Sequence, residues 1–251
     1  EVYVNGKKAA YRAYGYTNFY VDISGYLMYG GDNDIRVIAR NADQPNSRWY
    51  SGAGIYRPVT LFVADKKHIL HNGVKIRTLG IDPAVVEVCV TTSEVGDVRV
   101  SLSREGKTVA ADVKTTDEDR TAVFLLNVPC AELWSPDSPS LYDCKATFAD
   151  DEMTVRFGIR TISCTPSAGF TLNGERVILR GACIHTDNGI LGARSYREAE
   201  ARKVRLLKEN GYNAVRSAHC PAAKSFLDEC YKQGMLVVDE YCDMWYIHKN
   251  K

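Results

Sequence analysis

The sequence lacks the cysteine patterns of metal clusters and of small disulfide-stabilised domains. Its eight cysteines are scattered over 251 residues, and no two of them form a CxxC motif. Free, buried thiols are therefore the interpretation that we favour. No Asn-x-Ser/Thr sequon occurs either. Both absences favour a reducing compartment such as the cytoplasm, although a bacterial periplasm is also compatible with a chain that has no glycosylation site.

The sequence also lacks an excess of charge of one sign and a long apolar run. Lys and Arg number 32 against 31 Asp and Glu, which leaves a net charge of +1. We therefore expect neither a nucleic-acid partner nor a membrane partner. No apolar run reaches the length of a membrane span, and no signal peptide is recognisable. The composition, 45% hydrophobic and 25% charged, is that of an ordinary globular protein of two or three domains.

Helix signals are missing from the first 190 residues, which have the patterns of β-structure instead. Short Val, Tyr and Ile runs alternate with turn signals up to Val63, and Asn5-Gly6 predicts a tight hairpin. Seven of the 15 tyrosines fall before residue 30. We interpret them as core and rim residues of a β-sandwich, with a sugar-stacking surface as the alternative. The segment holds few strands, so it resembles the second half of a sandwich.

Clean two-residue alternation begins at about Lys66 and continues to Cys164. Val86, Val88 and Val90 are one example. Such alternation, broken by Gly, Asp and Thr clusters, predicts an immunoglobulin-like β-sandwich. The acidic stretch 116–120 is interpreted as a solvated hairpin tip. We expect this domain to position its neighbours and to do no chemistry.

Three apolar runs in the last part of the chain each end in ionisable side chains. They are Val177–Asp187, Tyr212–Cys220 and Met235–Asp243. Two helices are predicted between them. Ser195 and Glu198 predict a capping box for the first helix, which Gly211 ends, while Pro221 and Gly234 mark the start and end of the second. The order β, α, β, α, β predicts parallel strands of a βα-barrel, whose sites lie at the carboxyl ends of the strands.

The strand-end side chains are the candidate site residues. His185 and Asp187 share the parity of the first run, so an inward-facing strand would carry both into the barrel mouth. Arg216 and His219 have opposite parity and can both point inward only if their strand ends before His219. A single strand-end histidine is more often structural, and a core ion-pair arginine is the less favoured alternative for Arg216, but clusters on three neighbouring strands favour a site.

Longer motifs carry a family resemblance. The runs SRWYSGAGIYRPV (Ser47–Val59), LWSPDSPSLY (Leu133–Tyr142) and RFGIRTI (Arg156–Ile162), together with the strand-end clusters, resemble glycoside hydrolase family 2, the β-galactosidases and β-glucuronidases. GACIHTDNGILGA (181–193) is more similar to the β-galactosidase branch. The resemblance implies a multidomain fold: a partial jelly-roll, galactose-binding-like domain (1–65), an immunoglobulin-like β-sandwich (66–164), and the first three β/α units of a TIM barrel (165–251).

The resemblance also implies roles for individual residues. His185 and His219 match sugar-contacting histidines, Asp187 lies in the loop of His185, and Arg216 matches an arginine that supports the nucleophilic carboxylate. Asp239 and Glu240 match a substrate-site Asp-Glu pair. Thr186 stands where many relatives have a second histidine. Asp243 only approximately matches a metal-binding carboxylate, so no metal site and no cofactor are carried over, and a divalent cation in the parent enzyme stays open.

A retaining glycosidase needs two carboxyl groups about 5 Å apart. Asp239 and Glu240 are neighbours on one strand and face opposite sides, so they cannot form that pair. The resemblance implies that the acid/base and nucleophile Glu come from later barrel strands, after Lys251. The expected activity of the parent is exo-hydrolysis of terminal β-linked galactose, and assembly as a homo-oligomer is compatible with the family. A β-glucuronidase or β-mannosidase of the same family is one alternative, and a non-catalytic carbohydrate-binding fragment is another. The 251-residue chain alone is expected to be inactive.

Overall fold

A small antiparallel sheet opens the chain. The computed structural model describes residues 1–40 and 54–241. Its first strands are β1 (Val2–Val4), β2 (Lys7–Ala10) and β3 (Ile35–Val37), in the order β2-β1-β3. Asn5 (φ 49°) and Gly6 (φ 77°) form the two-residue turn between β1 and β2, which confirms the predicted hairpin. The jelly-roll expectation for this part stays a prediction.

The next seven strands form a two-layer sandwich. They are β4 (Ile69–Ile81), β5 (Ala84–Thr92), β6 (Asp97–Arg104), β7 (Lys107–Thr115), β8 (Thr121–Asn127), β9 (Tyr142–Phe148) and β10 (Asp151–Phe157). One sheet has the order β4-β5-β8 and the other β10-β9-β6-β7. Val86, Val88 and Val90 are fully buried between the sheets together with Leu102 and Phe124. Alternate residues of β5, β6, β8 and β9 therefore make the core, as the two-residue pattern predicted.

The acidic stretch 116–120 is not a hairpin tip. It connects β7 to β8, and these two strands belong to different sheets. Thr116 is buried, and its hydroxyl accepts a hydrogen bond from the Gly96 amide (3.1 Å). Asp117 to Arg120 are exposed, as predicted. The local pattern predicted a solvated turn correctly but contained no information about which sheet the next strand would join.

A second small sheet connects the sandwich to the parallel strands. It consists of β11 (Ile162–Thr165), β12 (Gly169–Leu172) and β13 (Glu175–Arg176), in the order β11-β12-β13 and antiparallel throughout. The expected domain boundary between residues 164 and 165 falls inside β11. The first predicted barrel strand is shorter than the apolar run Val177–Asp187, because strand pairing begins again only at Gly181.

The last part of the described chain alternates strands and helices. The elements are β14 (Gly181–Ile184), α1 (Arg197–Glu209), β15 (Ala214–Ser217), α2 (Lys224–Gln233) and β16 (Leu236–Asp239). The strands are parallel, in the order β14-β15-β16, and Cys183, Arg216 and Val238 lie side by side. The predicted order of strands and helices is confirmed. Within the described ranges, no helix is long and apolar enough to cross a membrane.

The helix ends were predicted correctly and the helix starts were not. Gly211 (φ 81°) and Gly234 (φ 75°) follow the two helices in the left-handed conformation. The predicted capping box is wrong, because the N-cap of α1 is Tyr196 and no side chain caps it. Helix α2 does not begin at Pro221 but at Lys224. The hydroxyl of Ser195 bonds the carboxylate of Glu200 instead of capping the helix.

Trp134, in the segment after β8, joins the sandwich to the carboxyl end of α2. Trp134 is 1% exposed, and its indole N–H donates to the carbonyl of Tyr231 in the last turn of α2 (2.9 Å). The guanidinium of Arg160 lies over the Trp134 ring (4.4 Å to the centroid) and over the Tyr231 ring (4.8 Å). Lys208 of α1 donates to the carbonyl of Pro136 (2.8 Å). The motifs Leu133–Tyr142 and Arg156–Ile162 therefore hold the parallel strands and helices on the sandwich.

Candidate functional site

Four side chains meet at the carboxyl ends of the three parallel strands. His185 follows β14, Arg216 lies on β15, His219 comes two residues after β15, and Glu240 follows β16 directly. The rings of His185 and His219 are 5.6 Å apart, centroid to centroid. Strand β15 ends at Ser217, before His219. Arg216 and His219 can therefore both point inward, although their positions have opposite parity. The prediction that the two histidines lie at the same end of the sheet is confirmed.

Glu240 is the centre of this cluster. Its Oε1 accepts a hydrogen bond from Nη2 of Arg216, and its Oε2 accepts one from Nδ1 of His219 (2.9 Å). Nη1 of Arg216 donates to Sγ of Cys183 (3.3 Å). The pKa of Arg216 is raised by its hydrogen bond to Cys183 and, second in size, by its hydrogen bond to Glu240. The guanidinium is charged at any relevant pH even without these bonds. The charge of Glu240 is thus balanced, and the orientation of His219 is set.

The hydrogen bonds determine which nitrogen of each histidine carries a proton. Nδ1 of His185 donates to the carbonyl oxygen of Ala218 (2.7 Å), because a carbonyl oxygen can only accept. Nδ1 of His219 donates in the same way to the carboxylate of Glu240. In both rings Nε2 is the atom turned away from these partners. The two hydrogen bonds therefore fix the orientation of both rings.

The two aspartates of the predicted site lie outside the cluster. Oδ1 of Asp239 accepts a hydrogen bond from the amide of Ala222, in the loop that leads to α2 (2.9 Å). Asp239 and Glu240 therefore face opposite sides, as their adjacency predicted. Asp187 is exposed, and its backbone carbonyl accepts a hydrogen bond from Lys203 of α1 (2.9 Å). Substrate contacts by the two aspartates stay predictions.

A segment from the N-terminal part of the chain reaches the same loops. Nη2 of Arg57 donates to the carbonyl of Pro221 (2.6 Å), two residues beyond His219. Tyr56 beside it is half-buried, and this burial raises the pKa of its hydroxyl to about 12. The run Ser47–Val59 therefore docks next to the barrel mouth through its last residues. Its members Arg48, Trp49 and Tyr50 lie outside the described residues.

Sequence reasoning missed two features of the site. Cys183 lies beside Arg216 across the strand pair, and its inward parity in the first run was the signal for that position. The polar contacts that α1 makes with the loop after His185 had no signal in the sequence, since they depend on how the helix packs. No group of three or more metal-ligating side chains occurs within residues 1–40 and 54–241, and Asp243 lies outside them.

The fold and the site define a class of protein: a β-sandwich followed by parallel β/α units with a polar cluster at the strand ends. A model described as "Glycosyl hydrolases family 2" matches residues 68–160, and one described as "Glycosyl hydrolases family 2, TIM barrel domain" matches residues 166–246. The two matches cover most of the sequence. The chain belongs to glycoside hydrolase family 2, and it comprises an N-terminal β-rich part and the start of the TIM barrel domain.

Individual relatives agree with this assignment. A β-galactosidase of Bacteroides ovatus is 36% identical over 98% of this chain and 31% of its own length. A putative β-glucuronidase of Formosa agariphila is 35% identical over 98% of this chain and 25% of its own length. The crystal structure of a family 2 member from Bacteroides cellulosilyticus, 36% identical, superimposes with a TM-score of 0.87 over 99% of this chain and 36% of that chain. This chain thus spans about a third or less of these two curated bacterial relatives.

Proposed function

We propose that the protein to which this chain belongs is a retaining exo-β-glycosidase that hydrolyses terminal β-linked galactose. The observation that carries the proposal is the cluster of His185, Arg216, His219 and Glu240 at the carboxyl ends of the parallel strands. Active sites of TIM-barrel enzymes lie at this end of the strands. The similarity to a β-galactosidase supports the choice of sugar, and the almost equal similarity to a putative β-glucuronidase makes glucuronide the main alternative.

The two histidines bind and orient the sugar in this proposal. Each ring is held in a fixed orientation at the carboxyl ends of the strands through its Nδ1 hydrogen bond. Such fixed contacts place the glycosidic bond before the reaction begins, which removes part of the entropic barrier. Sites that hydrogen-bond a hydroxyl also reject analogues that lack it. His185 and His219 would then contribute both to rate and to selection of the sugar.

Arg216 and Glu240 set the charge of the site. In the family, an arginine at this position supports the nucleophilic carboxylate, and we assign that role to Arg216. The acid/base and the nucleophile are Glu residues expected after Lys251, about 5–5.5 Å apart as in retaining enzymes. Asp239 and Glu240 do not form that pair, because their contacts lie on opposite sides of the strand.

We also propose the family's domain order for this chain: a jelly-roll domain up to residue 65, an immunoglobulin-like domain over 66–164, and the barrel from 165.

The first test compares sugars on the full-length protein. Nitrophenyl β-galactoside, β-glucuronide and β-mannoside are assayed side by side, and the highest kcat/KM is expected for the galactoside. A preference for glucuronide or mannoside would replace the proposed sugar. Binding of galactose without turnover of any glycoside would instead favour a carbohydrate-binding protein. The 251-residue chain, assayed in parallel, is expected to give no turnover above background.

The second test uses the two histidines. His185→Ala and His219→Ala are each expected to lower kcat/KM by roughly 10- to 100-fold, the effect of losing a hydrogen bond worth about 1–3 kcal/mol. His68→Ala is the matched control, because His68 contacts the carbonyl of Asp65 beside the sandwich. If His185→Ala and His219→Ala behave like the control, the cluster does not bind the substrate.

A further inference from the structure

A buried carboxylate on α1 lies behind the loop that carries His185. Glu200 is 3% exposed and lies in the first turn of the helix. A buried carboxylate is costly unless it is paired and hydrogen-bonded. Helix packing does not require such a group, since Val204, one turn further on, fills its buried position with an apolar side chain. The contacts of Glu200 therefore need their own explanation.

Those contacts hold the loop between β14 and α1 at both ends. Oε1 of Glu200 accepts hydrogen bonds from Nδ2 of Asn188 (2.9 Å) and from the hydroxyl of Ser195 (2.8 Å). Its Oε2 is paired with Nζ of Lys203 (3.1 Å), which also donates to the carbonyl of Asp187 (2.9 Å). Asn188 in turn donates to the carbonyl of Arg194 (2.8 Å). One carboxylate thus ties the first turn of the helix to the start and the end of the loop.

We propose that Glu200 is a positioning residue for substrate binding, which acts through the loop 185–195 on His185. The inference rests on the proposed function. His185 is attached on its other side, where Nδ1 donates to the carbonyl of Ala218. Asn188 follows His185 by three residues, so the carboxylate fixes the backbone on one side of the histidine while Ala218 fixes the ring. Loss of Glu200 removes the first of these attachments, and small displacements of a binding group lower the rate strongly.

The experiment removes the carboxylate and keeps its volume. In the full-length protein, Glu200→Met is expected to lower kcat/KM by roughly 10- to 100-fold, an effect of the same size as the loss of the His185 contact. Val204→Ala is the matched control, since it weakens the apolar packing of the same helix and leaves the hydrogen bonds of Glu200 in place, and it is expected to leave kcat/KM unchanged. Glu200→Gln keeps one acceptor oxygen and is expected to have an intermediate effect. If Glu200→Met folds poorly, Glu200→Gln replaces it in the kinetic comparison.

Two further measurements separate positioning from a purely structural role. In the background of His185→Ala, Glu200→Met should cause little additional loss, because a residue that acts through His185 cannot act without it. Additive losses would overturn the proposal. Hydrogen exchange of the amides in 186–194 should rise in Glu200→Met and stay unchanged in Val204→Ala, and an unchanged loop in both would also overturn it. If the wild-type protein hydrolyses no glycoside, the proposed function fails, while the exchange measurement still decides whether Glu200 holds the loop.

Discussion

Removal of the Trp134 side chain should uncouple the sandwich from the barrel helices. Trp134 packs against Leu172, Ala214 and Leu236, and its indole N–H satisfies the carbonyl of Tyr231. Carbonyl groups in the last turn of a helix have no partner within the helix, so Trp134 supplies from the sandwich a donor that α2 lacks. The substitution Trp134→Ala removes the packing, the hydrogen bond and the cation–π contact together.

The expected cost follows from these contacts. Truncation of a buried aromatic side chain to Ala costs about 3–5 kcal/mol. The lost hydrogen bond adds about 1 kcal/mol, and the contact with the Arg160 guanidinium about 0.5–1 kcal/mol. A loss of this size is a large share of the roughly 5–15 kcal/mol that stabilises a typical domain. Trp134→Phe keeps most of the packing and should cost only the hydrogen bond and part of the ring contact.

Hydrogen exchange in the full-length protein is the appropriate assay, because a multidomain protein does not unfold in one step. In Trp134→Ala, the amides of α2 should lose at least about 1,000-fold in protection, since the summed cost is about 4.5 kcal/mol or more and each 1.4 kcal/mol changes an opening equilibrium tenfold. Phe157→Ala is the matched control. Phe157 is 7% exposed inside the sandwich core, so its truncation weakens the sandwich without touching α2. Unchanged protection of α2 in Trp134→Ala, or an equal loss in Phe157→Ala, would refute this reasoning.

Two further predictions concern the same helices. Gly234→Ala should lower Tm more than Gly211→Ala: both glycines have positive φ, but a Cβ at Gly234 would lie 2.2 Å from the carbonyl oxygen of Pro136, while a Cβ at Gly211 would meet nothing. Equal shifts of Tm would contradict this contact. Burial opposes ionisation of Glu229, but hydrogen bonds led by Lys232 outweigh it and hold the pKa of Glu229 below its ordinary value of 4.5. The stabilisation is therefore complete above pH 4.5 and is lost as the pH falls through the lowered pKa, so the stability difference between wild type and Glu229→Gln in urea titrations should shrink in acid. A difference that does not depend on pH would contradict this assignment.

The sequence alone was sufficient for the elements whose cause is local. Val86, Val88 and Val90 predicted a half-buried strand because successive strand residues point to opposite faces. Gly211 and Gly234 predicted the helix ends because a residue without Cβ adopts positive φ at low cost. The order of strands and helices predicted that His185 and His219 would lie at one end of a parallel sheet. Each of these inferences uses only neighbouring residues and a repeat period.

Tertiary structure decided which partner each polar side chain has. Ser195 and Glu198 are spaced as a capping box, yet the hydroxyl of Ser195 bonds the buried carboxylate of Glu200 instead. Glu240 pairs with Arg216 and His219, which lie 24 and 21 residues earlier in the chain. Such pairs depend on strand register and helix packing, which bring distant residues to within 3 Å or keep them apart. A local pattern states which groups need partners, but only the folded chain determines which groups are near enough to be those partners.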